Sequence, residues 1–195
     1  STHVRTAILS RNARYRLGFS ATQYRNDGAE MDIYGCLGPK IVSLDASDLI
    51  PEYLVPPTIT FIEVPPMKFK STAPYQTVYS EYVVHSEERN EMIAKQAWVL
   101  TEEGHKTIIL VNRVAHGDEI MKKLVHLGVH ARFIKGELDS ETRHEILDQM
   151  RSGLIDVMVG TTLADEGLDI PIADSLILAG AGKSQGKTMQ RGGRV

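Results

Sequence analysis

The sequence is poor in cysteine: Cys36 stands alone among 195 residues, which excludes an internal disulfide and any zinc site built on cysteines. It has no apolar run approaching the length that spans a bilayer, so no membrane partner is expected. It also lacks an excess of basic residues. Its 22 lysines and arginines face 25 aspartates and glutamates, for a net charge of −3. A surface that holds nucleic acid by bulk charge is therefore excluded, and any such contact must be local and made by a few placed groups. The first sixteen residues are polar and basic without the apolar centre of a signal peptide. No methionine opens the chain, and both ends are expected to be cuts. What remains is ordinary for a globular protein: 42% hydrophobic and 24% charged residues, over a length that buries a sizeable core. The lone cysteine fits a reducing compartment, and a cytoplasmic location is the expectation.

Along the chain, Leu17-Gly18-Phe19-Ser20-Ala21-Thr22 reads as a short buried strand running into a loop, and Arg25-Asn26-Asp27-Gly28 as a turn. From Gly35 to Pro66 prolines recur, and the alternation around Ile59, Phe61 and Glu63 suggests an extended linker. Beyond Pro74 the pattern becomes regular. Ser86 followed by Glu87 and Glu88 predicts a capped helix carrying Ile93, Ala97 and Leu100, with Trp98 in the core and Gly104 at its end. Thr107–Val111 predicts a strand. Ile120, Met121, Leu124 and Leu127 predict a helix closed by Gly128, and Val129–Ile134 a second strand. Asp139 or Ser140 opens a third helix, closed by Gly153, followed by strands at Asp156–Val159 and Ser175–Leu178. Strands alternating with helices imply parallel pairing, because the helix supplies the crossover that parallel neighbours need.

In open parallel sheets, ligands bind beyond the carboxyl ends of the strands. That rule picks out Asn112 and Arg113, Lys135 and Gly136, Thr161 and Thr162, and Gly180 to Ser184. These are small, polar or basic groups suited to phosphate oxygens, although polar residues also end many strands that bind nothing.

Three segments then carry a resemblance. Ser20-Ala21-Thr22, the run from Thr161 to Pro171, and Gln190-Arg191-Gly192-Gly193-Arg194 resemble, in this order, three motifs of superfamily-two helicases. The linker and the strand near Ile108 look most like the branch of phage and bacterial DNA-repair helicases near UvsW and XPB. The resemblance implies an α/β fold. Residues 1–35 would be the tail of a first RecA-like domain, 36–66 an interdomain linker, and 67–195 a second RecA-like domain with a parallel sheet and helices on both faces. It implies ATP at the cleft between the two domains, Mg2+ held by the first domain, and a nucleic-acid strand, DNA rather than RNA, as partner. The phosphate loop and the acidic magnesium pair of the family are not found upstream of Ser20, so the chain alone is not expected to hydrolyse ATP.

By the same resemblance Ser20, Ala21 and Thr22 would couple nucleotide state to strand binding, or form only a strand-to-turn transition. Thr161 and Thr162 would bond backbone phosphates, and Thr162 could equally cap a helical turn. Gly167 and Asp169 would lie near the nucleotide, with an Asx turn as the plain alternative for Asp169. Arg194 would reach the γ-phosphate as an arginine finger, with Gln190 orienting the nucleotide or water and Arg191 beside it. The family usually has an apolar residue where Gly192 stands. Two other functions stay open: a docking module without turnover, and a phosphate-loop enzyme using Lys187 in Ala181–Thr188, a segment that lacks the later acidic strand such a loop requires. His126 and His130 flank Gly128, which breaks the phase a helical metal pair needs.

Overall fold

The computed structural model describes residues 5, 8–19, 30–44, 46–50, 52, 56–64, 72–136, 139–161 and 172–180. The chain divides into two compact units, Ser1–Glu63 and Val64–Val195.

In the first unit, helix α1 spans Glu30–Leu37 and a single turn, α2, spans Ala46–Leu49. Two expectations fail here. Leu17 and Phe19 are exposed and lie in no strand. An apolar run becomes a strand only beside a neighbour that takes its backbone hydrogen bonds, and no strand occurs among the described residues of this unit. The stretch read as extended is interrupted by α2, which forms in the gap free of proline and glycine between Pro39 and Pro51. Residues 56–64 carry neither helix nor strand.

The second unit follows the alternating pattern. Helix α3, Tyr75–Tyr79, runs into a π-helical turn at Ser80–Val84, and α4 spans Glu87–Glu102. Then come β1 (Thr107–Leu110), α5 (Val114–His126), β2 (Ala131–Ile134), α6 (Ser140–Arg151), β3 (Val157–Gly160) and β4 (Ser175–Leu178). The caps are those the sequence announces. The Ser86 hydroxyl accepts from the Arg89 N–H at 3.4 Å, and an Asp139 carboxylate oxygen accepts from the Thr142 N–H at 2.8 Å. Helices α4, α5 and α6 all end in the same Schellman geometry. The N–H groups of His105, Val129 and Leu154 reach back to the carbonyls of Leu100, Leu124 and Gln149. Gly104, Gly128 and Gly153 take φ of 87°, 75° and 76° at the reversal, a conformation that costs glycine no steric penalty.

The four strands form one parallel sheet in the order β2–β3–β1–β4. Side chains alternate across it, and each face has its own helices. Ile109, Val111, Val157 and Val159 pack with Ile93, Ala94 and Ala97 of α4 and with Ile120 and Leu124 of α5. Ile108, Leu110, Ile134 and Met158 pack with Ile146 and Met150 of α6. The core is thus a doubly covered parallel sheet, which explains why β1 and β3 are buried along their whole length. Trp98 departs from expectation: it is 41% exposed. The buried stripe of α4 runs through Asn90, Ile93, Ala94 and Ala97. Trp98 lies to one side of that stripe, which leaves the indole outside.

Candidate functional site

Register decides where the site can be. Leu110 pairs with Gly160 and with Leu178, and Ile134 pairs with Gly160. All four strands therefore stop level, and the residues after them stand along one edge. Asn112 and Arg113 follow β1, Lys135 and Gly136 follow β2, Thr161 follows β3, and Ala179 and Gly180 follow β4. The backbone stays bonded just past the strands. Val111 N–H donates to the Gly160 carbonyl, and Ala179 and Gly180 both donate to that of Leu110. These bonds keep the rim in order where the ladder ends.

Each rim side chain is held differently. Gly136 takes φ of 67°, and its N–H donates to the Thr161 hydroxyl oxygen at 3.4 Å, joining the ends of β2 and β3. Lys135 donates to Asp118 of α5 at 2.7 Å and lies 5.0 Å from the Phe133 ring centre. Half-exposed on both sides, that ion pair is weak and exchangeable. Arg113 is the residue before α5. Its guanidinium donates to the Gln76 side-chain oxygen and lies 4.9 Å from the centre of the Tyr79 ring. Asn112 is exposed. The edge thus offers two cations, an amide, a hydroxyl and the N-terminus of α5, groups that bind phosphate oxygens without reading sequence.

Beneath the rim lies a polar layer that sequence reasoning missed. Arg89 of α4 donates to the Ala179 carbonyl at 2.9 Å, which ties the exit of β4 to the helix. Burial pulls its guanidinium below the usual arginine range. Next to it, the Asn90 side-chain NH2 donates to the Val84 carbonyl at 2.9 Å, and its oxygen lies 3.0 Å from His116 Nε2. His116 is fully buried, and its pKa is pushed down to about 4, chiefly by burial and then by the charges of Arg89 and His85. The Tyr79 hydroxyl and Arg89 Nε are buried without a partner. A methyl group at Gly180 would meet that hydroxyl and the Asn112 nitrogen, each at 2.9 Å. Only glycine fits where β4 leaves the sheet. These partners lie from 6 to 90 positions apart in sequence, so no local pattern announces them. The one available signal was a basic residue, Arg89, on the first turn of a helix otherwise opened by acids.

Of the residues singled out from the sequence, Asn112, Arg113, Lys135, Gly136 and Thr161 come together on this edge. Ser20, Ala21, Thr22, Thr162, Gly167, Asp169, Gln190, Arg191 and Arg194 lie outside the described residues, as does the Ala181–Thr188 segment. Among the described residues no group of three metal-ligating side chains occurs, and no helix is long and apolar enough to cross a membrane. Two surface hollows flank α5 on its outer side, and neither includes a rim residue.

Comparison with known proteins gives the family. The family described as the helicase conserved C-terminal domain matches residues 87–195, more than half of the chain. A protein of Sulfolobus islandicus filamentous virus, provisionally named helicase 22, is 30% identical over 98% of this chain and 37% of its own length. The DNA 3'-5' helicase XPB of Kineococcus radiotolerans is 28% identical over 94% of this chain and 32% of its own length. The chain therefore spans about a third of these relatives. Among solved structures, T4 UvsW superposes with a TM-score of 0.54 at 24% identity, over 64% of this chain and 25% of that one, a likeness of fold.

Proposed function

The chain belongs to the helicase conserved C-terminal domain family, and on that premise we propose that it is the second lobe of an ATP-dependent DNA helicase or translocase. The observation that carries the reading is the level ending of four parallel strands, which lines Asn112, Arg113, Lys135, Gly136 and Thr161 along one edge. On this reading the edge tracks the backbone of one strand. Arg113 and Lys135 neutralise successive phosphates, and the Thr161 hydroxyl and the Gly136 N–H, already neighbours, hold a phosphate oxygen between them. Such contacts fix position and carry no base sequence, as a motor that must advance over any sequence requires. DNA is favoured over RNA because relatives spanning most of this chain are named as DNA helicases.

ATP, when bound, would supply the free energy for closing and opening the lobes. In this chain Gly167 and Asp169 would contact the nucleotide, Gln190 and Arg191 would support its phosphates, and Arg194 would reach the γ-phosphate. Arginine suits that place because its planar fork takes two oxygens and its charge persists at any working pH. Magnesium ligands would belong to the partner domain on this reading. Residues 1–35 would then be the end of that first domain, with Ser20, Ala21 and Thr22 linking the two events, and 36–66 the connection between the domains.

The test uses the longer protein that joins this chain to a phosphate-binding domain. Arg194→Ala should lower ATP turnover about 10³-fold or more, by the measure of other arginine fingers, and leave single-strand affinity in place. Thr161→Ala should do the reverse, weakening the strand and sparing basal turnover. Unchanged turnover in the first variant removes Arg194 from its role, and unchanged affinity in the second removes Thr161 from its role.

A further inference from the structure

Tyr79 and Gln76 belong to α3 and its π turn, a segment for which neither the rim nor the family motifs provide a use. Tyr79 is the last residue of α3, and the π turn starts at the next position, where the His85 N–H closes on the Ser80 carbonyl at 3.0 Å. A π turn is wider than an α turn, and such turns concentrate at functional positions. Here the extra width sets Tyr79 and Val84, five positions apart, both inward: they are 7% and 1% exposed. The buried ring then offers its open face to the rim, and the Arg113 guanidinium lies 4.9 Å from its centre while donating to the Gln76 oxygen.

We propose that Tyr79 and Gln76 are positioning residues that set the Arg113 guanidinium before any strand arrives, so that a backbone phosphate of single-stranded nucleic acid meets a cation already in place. The proposal rests on the reading of Arg113 given above. A guanidinium has five N–H donors. Gln76 takes one and the ring face takes none, which leaves others for the oxygens of a phosphate. A free arginine side chain must lose its rotamer freedom on binding, and one stacked in advance loses less. The ring is itself fixed from below, because its hydroxyl end lies against the exit of β4 at Gly180. The Tyr79 hydroxyl has no partner in that position. The aromatic face is therefore the working part of this residue, and the oxygen is dispensable.

A double-mutant cycle on the 195-residue chain tests this, read by fluorescence anisotropy with a labelled oligothymidine at about 0.1 M salt. Arg113→Ala should weaken binding about fivefold, the loss of one phosphate contact on a single strand at that salt. Tyr79→Leu should weaken it by a similar factor. In the Arg113→Ala background Tyr79→Leu should have no further effect. Tyr79→Phe should bind as the parent does and melt at the same temperature or higher. Gln76→Leu gives a second cycle at an exposed position, should the core substitution impair folding. Additive losses from Tyr79→Leu and Arg113→Ala would overturn the proposal in favour of a general structural role. An intact affinity in Tyr79→Leu and Gln76→Leu would overturn it by showing that the guanidinium needs no support. If Arg113→Ala binds normally while Thr161→Ala does not, the role of Arg113 falls and this proposal with it, and the rim stands. If both bind normally, the rim reading itself has failed.

Discussion

Acidification should destabilise this chain through one buried side chain, His116. Its imidazole is fully buried between α4 and α5. The Asn90 NH2 is committed to the Val84 carbonyl, so the Asn90 oxygen that faces His116 Nε2 is an acceptor, and Nε2 must carry the proton. Nδ1 is then the bare nitrogen, and it is buried without a partner. A proton added there would place a charge in the core with no acceptor and with Arg89 and His85 nearby, and the pKa accordingly falls from 6.5 to about 4. In the unfolded chain the histidine takes its proton near 6.5. Between pH 6.5 and 4 the unfolded state therefore binds the extra proton, and stability falls as pH falls through that window. Linkage gives a loss of about 2 kcal/mol from pH 7 to pH 5 and about 3 kcal/mol by pH 4. Urea denaturation across this range, on the parent and on His116→Gln, isolates the effect. Glutamine can still donate to the Asn90 oxygen but cannot titrate. The variant should lose about 2 kcal/mol less than the parent between pH 7 and pH 5. Parallel pH profiles for the two proteins would refute the tautomer and the burial argument together.

Two further substitutions probe the scaffold under the rim. In Gly117→Ala a methyl group would stand 2.1 Å from Cζ of Phe133. Overpacking of about 1–3 kcal/mol then competes with a gain of about 1 kcal/mol in helix propensity. A net loss of about 1 kcal/mol is expected in urea, and a gain would mean that the ring moves aside freely. Ser86→Ala removes the cap of α4 and should cost about 1 kcal/mol; because α4 also carries Arg89 to the β4 exit, a shift in thermal midpoint is the readout, and no shift would show that the cap is replaced by water.

The second unit was legible because its signals are local and agree with one another. Caps at Ser86 and Asp139, glycines at 104, 128 and 153, and short β-branched runs between them set both the elements and their alternation, and the parallel rim followed from that. Tyr75–Val84 was not legible. Its sequence of tyrosines, valines and threonine favours a strand on propensity alone, and its contacts with Arg113, made through Gln76 and Tyr79, come from a distant part of the chain. Trp98 misled for a related reason: helical periodicity locates a stripe but not how far round the helix burial extends, and the indole falls beyond it. The strand expected at Leu17 needed a neighbour that the sequence of the first unit does not announce. The polar layer of Arg89, Asn90 and His116 depends on contacts between distant segments, to which local pattern is blind.

The central claim is that a nucleic-acid strand lies on the edge where the strands end and not on the edge where they begin. A photo-reactive phenylalanine analogue at Asn112 or Lys135, both exposed on the first edge, should crosslink a single-stranded oligonucleotide. The same probe at His105, half-exposed, or His130, exposed, on the second should not. Crosslinks of equal yield from both edges, or from His105 and His130 alone, would contradict the account.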